Sequence, residues 1–332
     1  MLLETLRVDG LLSFAPGTPA LELRPLNVVI GPNGSGKSNL VEAIELLRAT
    51  PTGFAAAIRD GGGVREWLWK AASDAPGTIE TRLARAAQGA LRYQLSFTAA
   101  GAHTEIVDEI IEDAVQVDPE ASGPYFYYQF RGGRPTLNVR GEGDAEPRPR
   151  TLPPESLAVD ESVLSQRKDP ETYPELSWCA SQFARIQTFR EWSFGRYSAV
   201  RQPQPADLPA DVLLPDARNL GLLLNQLEHG DAASELNALV RRFLPRFKRV
   251  TTLVQAGTVQ FFLHEDGLKK PVPAARLSDG TLRFLAMTAL LVMPTPPPLI
   301  CIEEPELSGS TPTRLRSWPS SSSRRAPERR SS

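Results

Sequence analysis

The sequence predicts an α/β fold: a core of strands and helices interrupted by an inserted lobe of antiparallel strands and helices. Three observations carry that prediction. A glycine-rich loop stands between a short apolar run and a helical run near the start. Segments of alternating polarity follow it. A second apolar run, near the end, closes on two adjacent carboxylates.

Leu2 to Val8 reads as a first strand, Gly10 to Phe14 as a turn, and Ala20 to Leu23 as an exposed edge strand. Leu26-Asn27-Val28-Val29-Ile30 is apolar and rich in β-branched residues, as a buried strand should be. Gly31-Pro32-Asn33-Gly34-Ser35-Gly36-Lys37-Ser38 then fits G-x-x-x-x-G-K-[ST], the phosphate-binding loop. Asn39 to Leu47 has apolar residues at helical spacing (Leu40, Ala43, Ile44, Leu47). Strand, loop and helix are the context the motif needs, so the core reads as a P-loop NTPase. Glycines let backbone N–H groups turn around phosphate oxygens, and the helix N-terminus adds positive potential. Lys37 can reach the β- and γ-phosphates, and Ser38 can ligate Mg²⁺.

From Pro51 to about Pro215 the character changes. Thr78 to Leu83, Leu91 to Phe97, His103 to Ile111 and Tyr125 to Phe130 alternate like antiparallel strands, with turns at Ala100-Gly101 and Gly132-Gly133. Gly141 to Pro154 is polar and proline-rich, a loop. Glu171 to Phe189 reads as helical, and Arg201 to Pro215 as a proline-rich connector. Beyond it, Asn219 to Glu228 and Ala232 to Phe243 have helical periodicity. A hairpin is expected around Ala256-Gly257, and Phe284 to Met293 is an apolar, buried helix. Leu299-Ile300-Cys301-Ile302 is then a buried strand. The expected organisation is a core of residues 1–50 and 217–307, an inserted lobe of 51–216, and a tail of 308–332.

Bulk properties narrow the setting. A chain of 332 residues can bury one large core or two modest ones. With 37 Lys+Arg against 39 Asp+Glu, no basic excess points to nucleic acid. Cys179 and Cys301, far apart, suggest a reducing compartment. The start lacks the pattern of a signal peptide, and Phe284 to Met293, the longest apolar stretch, is too short for a bilayer. A cytoplasmic protein without a membrane partner is expected.

Two further motifs bear on chemistry. Glu303 and Glu304 end the last apolar strand. At such a strand end one carboxylate can hold Mg²⁺ through water, and the next can orient and deprotonate an attacking water. Two exposed glutamates after a buried strand are the plainer account. Leu277-Ser278-Asp279-Gly280-Thr281 precedes the buried helix, where Ser278 or Asp279 can cap it. A hydroxyl and a glycine backbone at a helix N-terminus also suit a γ-phosphate.

The trio GPNGSGKSN, LSDGT and apolar strand followed by EEPE resembles the ATPases of the ATP-binding-cassette superfamily, and within it the RecF, SMC and OLD-like branch of predicted AAA-type ATPases. The resemblance runs from residue 1 to Leu307. Asp279 stands where the transporter form has glycine, which is at home in this branch. The resemblance implies that Gly31 to Asn39 bind ATP, with Lys37 at the phosphates. It implies Mg²⁺ on Ser38 and Glu303, and Glu304 as catalytic base. Ser278, Asp279 and Gly280 would meet the γ-phosphate held by a second copy, implying an ATP-dependent homodimer. A glutamine that senses the metal is also implied; Gln166 and Gln182 are candidates, although each is an ordinary surface residue on its face. Trp67, Trp69, Trp178 and Trp192 read as packing residues, and His103, His229 and His264 have no metal-ligand spacing.

The tail departs from the resemblance. After Glu304-Pro305-Glu306-Leu307 a G-L-H-P-like loop, a helix, a strand and a switch histidine are implied. Ser308 to Ser332 instead is serine- and arginine-rich without periodicity and is expected to be disordered. A frameshift accounts for it: permitted codons for Ser308 to Arg314, read two bases on, give G-L-H-P-D-A. A chain so altered is expected to turn ATP over weakly or not at all, and to be poorly soluble. The tail carries a net charge of +5, leaving the rest at −7. Arg241, Arg242, Arg246, Lys248 and Arg249 form one basic cluster, read as a solvated helix face or as a patch for DNA or a partner. Three functions compete: an ATP-driven switch in DNA repair, maintenance or defence, a nucleotide-binding regulatory module without turnover, and a small-molecule kinase. LSDGT speaks against the kinase.

Overall fold

The computed structural model describes residues 2–305 apart from 72–74, 86–88, 117–119, 121–122, 140–147, 191 and 193. The expectations for 308–332 lie outside the described residues, as does most of the expected loop at 141–147. The fold is mixed α/β, and the chain divides into two compact units, Met1–Ile186 and Gln187–Ser332. Among the described residues no helix is long and apolar enough to cross a membrane.

The first unit is built on an eight-stranded antiparallel sheet in the order β2-β1-β3-β4-β5-β6-β7-β8. Its elements in chain order are β1 (Leu3–Asp9), β2 (Leu21–Glu22), α1 (Lys37–Ala49), α2 (Phe54–Asp60), α3 (Val64–Trp67), β3 (Gly77–Leu83), β4 (Leu91–Ala100), β5 (His103–Asp113), β6 (Phe126–Arg131), β7 (Arg134–Val139), β8 (Arg148–Thr151), α4 (Val163–Gln166) and α5 (Pro174–Ala184). Period-two alternation sets the two faces. Leu91, Tyr93, Leu95 and Phe97 of β4 are fully buried. Phe54 of α2 meets Phe97 edge-on with ring centroids 5.2 Å apart, and Phe183 of α5 meets Tyr93 at 5.1 Å. Each such ring contributes about 2 kcal/mol of burial. The other face carries charge: Arg92 donates to Glu80 at 2.8 Å and to its cross-strand partner Glu112 at 2.6 Å.

The strands expected at 78–83, 91–97, 103–111 and 125–130 are all present. Arg148–Thr151 pairs with β7 where a loop was expected. It sits at the sheet edge, where Pro149 is tolerated because one side of the strand needs no donor. The expected strand Leu26–Ile30 is not formed. No described strand pairs with it, and Leu26, Val28 and Ile30 are 68%, 75% and 88% exposed. A continuous apolar run signals a strand only where neighbours supply ladder partners and cover. Asn27 instead closes a turn, its amide donating to Arg24 O at 2.7 Å and its Oδ1 accepting from Arg24 N–H at 2.9 Å.

The second unit contains β9 (Gln187–Phe189), β10 (Gln204–Pro205), α6 (Leu220–Glu228), α7 (Ala233–Phe243), β11 (Phe247–Gln255), β12 (Thr258–Glu265), β13 (Val272–Pro273), α8 (Asp279–Val292) and β14 (Ile300–Ile302). The β11–β12 hairpin turns at Ala256-Gly257 as expected, with β10 and β13 on the other side of β12. Three helices share its core: Leu220, Leu224 and Leu227 of α6, Leu236 and Val240 of α7, and Leu282, Leu285, Ala289 and Leu290 of α8. Phe243 and Phe284 stack at 3.9 Å. β14 pairs in parallel with β9, where sequence periodicity had predicted a continuing helix to Phe189. That helix stops at Ala184, and Thr188 and Phe189 suit a strand once β14 offers a ladder.

Candidate functional site

In the first unit the glycine-rich loop is set by the helix behind it. α1 buries Ala43, Ile44, Leu46 and Leu47 and packs against α2 and α5, which fixes its N-terminus. Ahead of it, Ser35 N–H donates to Pro32 O at 3.2 Å and closes a tight turn. Gly34 and Gly36 take φ of +79° and +88°, where a side chain is strained. A β-carbon at Gly36 would also lie 2.5 Å from Ser13 Oγ, and one at Gly31 2.6 Å from Ser35 Oγ. Gly36 is the N-cap of α1, and no side chain caps the helix. The first-turn N–H groups, those of Lys37, Ser38 and Asn39, therefore have no intrahelical acceptor and face an end of positive potential. Lys37 Nζ donates to Gly31 O at 2.8 Å and Pro32 O at 2.9 Å. Both acceptors are uncharged, so an anion can draw the ammonium away. Asn33, Gly34, Ser35 and Ser38 are exposed. Free N–H groups, a helix N-terminus and an ammonium so placed are chemically suited to an anion.

The second unit holds the other motifs. Ser278 is the N-cap of α8: its Oγ accepts from Thr281 N–H at 3.1 Å and pairs with Thr281 Oγ1 at 2.8 Å. Of the two capping candidates the geometry selects Ser278. Asp279 is bound by Arg201, whose guanidinium also donates to Leu277 O at 2.6 Å and Phe194 O at 2.9 Å. Arg201 is buried, and it fastens the segment around Gly280 to the chain ahead of β10.

Glu303 and Glu304 follow β14. Glu303 N–H donates to Phe189 O at 3.0 Å, continuing the parallel ladder by one residue. Arg190, next after β9, therefore stands beside Glu303, and its Nε donates to Glu303 Oε2 at 3.2 Å. Glu303 Oε1 is buried and has no hydrogen-bond partner among the described residues. Glu304 is exposed and takes a φ of +49°, uncommon for a residue with a side chain. With Trp192, Arg283, Met287, Ile302 and Pro305 these residues line a small recess. Arg283 donates to Trp192 O at 2.6 Å. Burial lowers its basicity, and the carboxylates of Glu304 and Asp279 oppose that.

Arg190, Arg201 and Arg283 were not singled out in the sequence. Arg190 becomes visible only if Gln187–Phe189 is recognised as a strand parallel to β14. Gln166, a candidate metal sensor, is a brace instead: its amide bonds Ala158 N–H at 2.7 Å and Glu161 O at 2.8 Å. Among the described residues Gln182 reaches only Ser181 Oγ, at 3.5 Å. Trp67 and Trp192 are buried packing residues. The basic cluster is exposed, with Arg241 donating to Lys248 O at 3.2 Å and Arg246 drawn to Glu265 at 3.8 Å. Among the described residues no three His, Cys, Asp or Glu side chains are placed to hold a metal together.

The fold is similar to that of a Smc head domain with an extended coiled coil, solved bound to the C-terminal domain of ScpA and derived from Pyrococcus furiosus. The identity is 10%, the TM-score 0.51, and 93% of this chain and 83% of that one are covered. An SmcHead bound to the C-winged helix domain of ScpA matches at 10% identity and a TM-score of 0.46, over 88% and 76% of the two chains. No curated protein sequence matches this one. At such identity the Pyrococcus furiosus likeness speaks for the fold, that of a P-loop NTPase of the SMC-head type. Residues 26–308 match the family profile described as "AAA domain, putative AbiEii toxin, Type IV TA system". That span takes in most of the chain and all three motifs, and the chain belongs to this AAA-domain family.

Proposed function

We propose that the chain binds and hydrolyses ATP as a RecF/SMC-like ATPase, dimerising when ATP is bound, in genome repair, maintenance or defence in the cytoplasm. The observation that carries this is the loop at Gly31–Ser38: two glycines in left-handed backbone, a helix N-terminus without a side-chain cap and a lysine that donates to two carbonyls. Those are the parts of a polyphosphate cradle. Gly31 to Asn39 take the phosphates, with Lys37 at the terminal ones. Ser38 and Glu303 are the magnesium ligands, and the orphaned Oε1 of Glu303 is the kind of atom a hydrated cation satisfies. Magnesium supplies charge neutralisation on the phosphates. Glu304, exposed at the strand end, orients and deprotonates water. Ser278, Asp279 and Gly280 approach the nucleotide of a second copy. Nucleotide binding without turnover is the second reading, favoured by the unpaired, exposed state of Leu26–Ile30 next to the loop.

Titration with a fluorescent ATP analogue and a phosphate-release assay test the proposal. Lys37→Ala should weaken nucleotide binding by about tenfold or more, the size of a lost charged hydrogen bond. Glu304→Gln should retain binding and lose turnover. Equal binding by wild type and Lys37→Ala overturns the nucleotide reading. Binding without phosphate release in the wild type selects the second one.

A further inference from the structure

The pairing of β9 with β14 forces a cation onto the carboxylate read above as a magnesium ligand. Ile302 is in register with Phe189, and the ladder continues to Glu303 N–H. The side chains that follow each strand are thus neighbours, and they are Arg190 and Glu303. Both are partly buried, at 28% and 19% side-chain exposure, and they form an ion pair. A second guanidinium, that of Arg283, lines the same recess.

We propose that Arg190 is a resident counter-ion that keeps divalent cations off Glu303 until a nucleotide is present. The inference rests on the ATPase reading and adds a control on the order of loading. A metal ion arriving alone must displace Arg190 from its partner. It then places two positive charges beside two guanidinium groups, with the carboxylates of Glu303 and Glu304 as the fixed attraction. No described trio of ligands makes up the loss. A nucleotide changes both sides of that balance. Its phosphates give the metal further oxygens, and they give a planar guanidinium an acceptor it can meet with two parallel bonds. Arg190 is a positioning residue in this scheme: it acts through Glu303.

Mn²⁺ binding to the full chain, read by electron paramagnetic resonance without nucleotide, tests it. Wild type should bind Mn²⁺ weakly. Arg190→Gln should bind it about tenfold or more tightly, a gain that the double variant Arg190→Gln/Glu303→Gln loses. Arg190→Lys, which keeps the charge, should stay close to wild type. With a non-hydrolysable ATP analogue the difference between wild type and Arg190→Gln should shrink. Should Arg190→Gln fail to fold, the wild type alone still decides: tight Mn²⁺ binding without nucleotide overturns the proposal. Equal affinity in wild type and a folded Arg190→Gln overturns it too. Nucleotide binding that depends on Lys37, seen beside such equality, would leave the ATPase reading standing and remove only the role of Arg190.

Discussion

Glu109 shows how one buried group can shape the behaviour of the first unit. Its Oε1 accepts from Tyr93 O–H at 2.9 Å and from Ser162 O–H, and its Oε2 accepts from Val163 N–H at 2.9 Å. It thereby ties β5 to the start of α4. Burial raises its pKa to about 7, with the hydrogen bonds from Ser162, Val163 and Tyr93 opposing the rise. The folded carboxyl therefore keeps its proton at pH values where the unfolded one, near 4.5, has lost it. Its stabilising effect is complete below about pH 4.5 and is lost as pH rises through about 7. The span corresponds to a few kcal/mol, on the order of 3. Urea midpoints at pH 5.5 and pH 8 should fall with rising pH in wild type and converge in Glu109→Gln, which cannot titrate. The same slope in both proteins would show that Glu109 is not the titrating group. Gly36 is a second residue with a specific expectation. Gly36→Ala meets both a φ of +88° and Ser13 Oγ, and should cost about 1–3 kcal/mol along with nucleotide affinity.

At the scale of elements, Leu26–Ile30 separates intrinsic preference from context. Its exposed side chains should be energetically quiet. Val28→Thr should change stability by less than about 0.5 kcal/mol, whereas Leu95→Ala in the sheet should cost about 2–5 kcal/mol. Urea unfolding of the two variants checks the contrast, and a large loss from Val28→Thr would mean that the segment is paired after all. The same element explains what a reader of the sequence can and cannot see. Alternation made β3 to β6 legible because each strand has one buried face, and the turn glycines marked their ends. The β11–β12 hairpin and α8 were legible for the same local reasons. Leu26–Ile30 and β9 were misread because strand pairing is non-local: an apolar run states a preference, and a distant partner decides whether it is met. At the site, Gly34 and Gly36 could be placed from sequence, since their positive φ is a backbone conformation that glycine favours. The arginines could not, because Arg190 and Arg201 gain their meaning from segments far along the chain, at Glu303 and Asp279.

For the whole molecule, two compact units with separate cores make a single unfolding temperature a poor descriptor. The response to nucleotide is better read region by region. A ligand that binds only the folded form stabilises it by about 2.7 kcal/mol at one hundred times its dissociation constant. The phosphate loop lies in the first unit, whereas LSDGT, Glu303 and Glu304 lie in the second. If the proposed function holds, nucleotide without metal should therefore slow amide exchange first around residues 31–50, where the N–H groups of the loop and α1 would take up the phosphates. Under the two proposals, metal and nucleotide together should extend the protection to residues 300–304, where Glu303 would exchange Arg190 for a cation, and to residues 278–282, which would meet the nucleotide of a second copy. Lys37→Ala should abolish both stages, and Glu303→Gln only the second. Protection of both regions by nucleotide alone would show that the carboxylate end needs no metal to respond. Protection of neither would remove the loop from the nucleotide's reach.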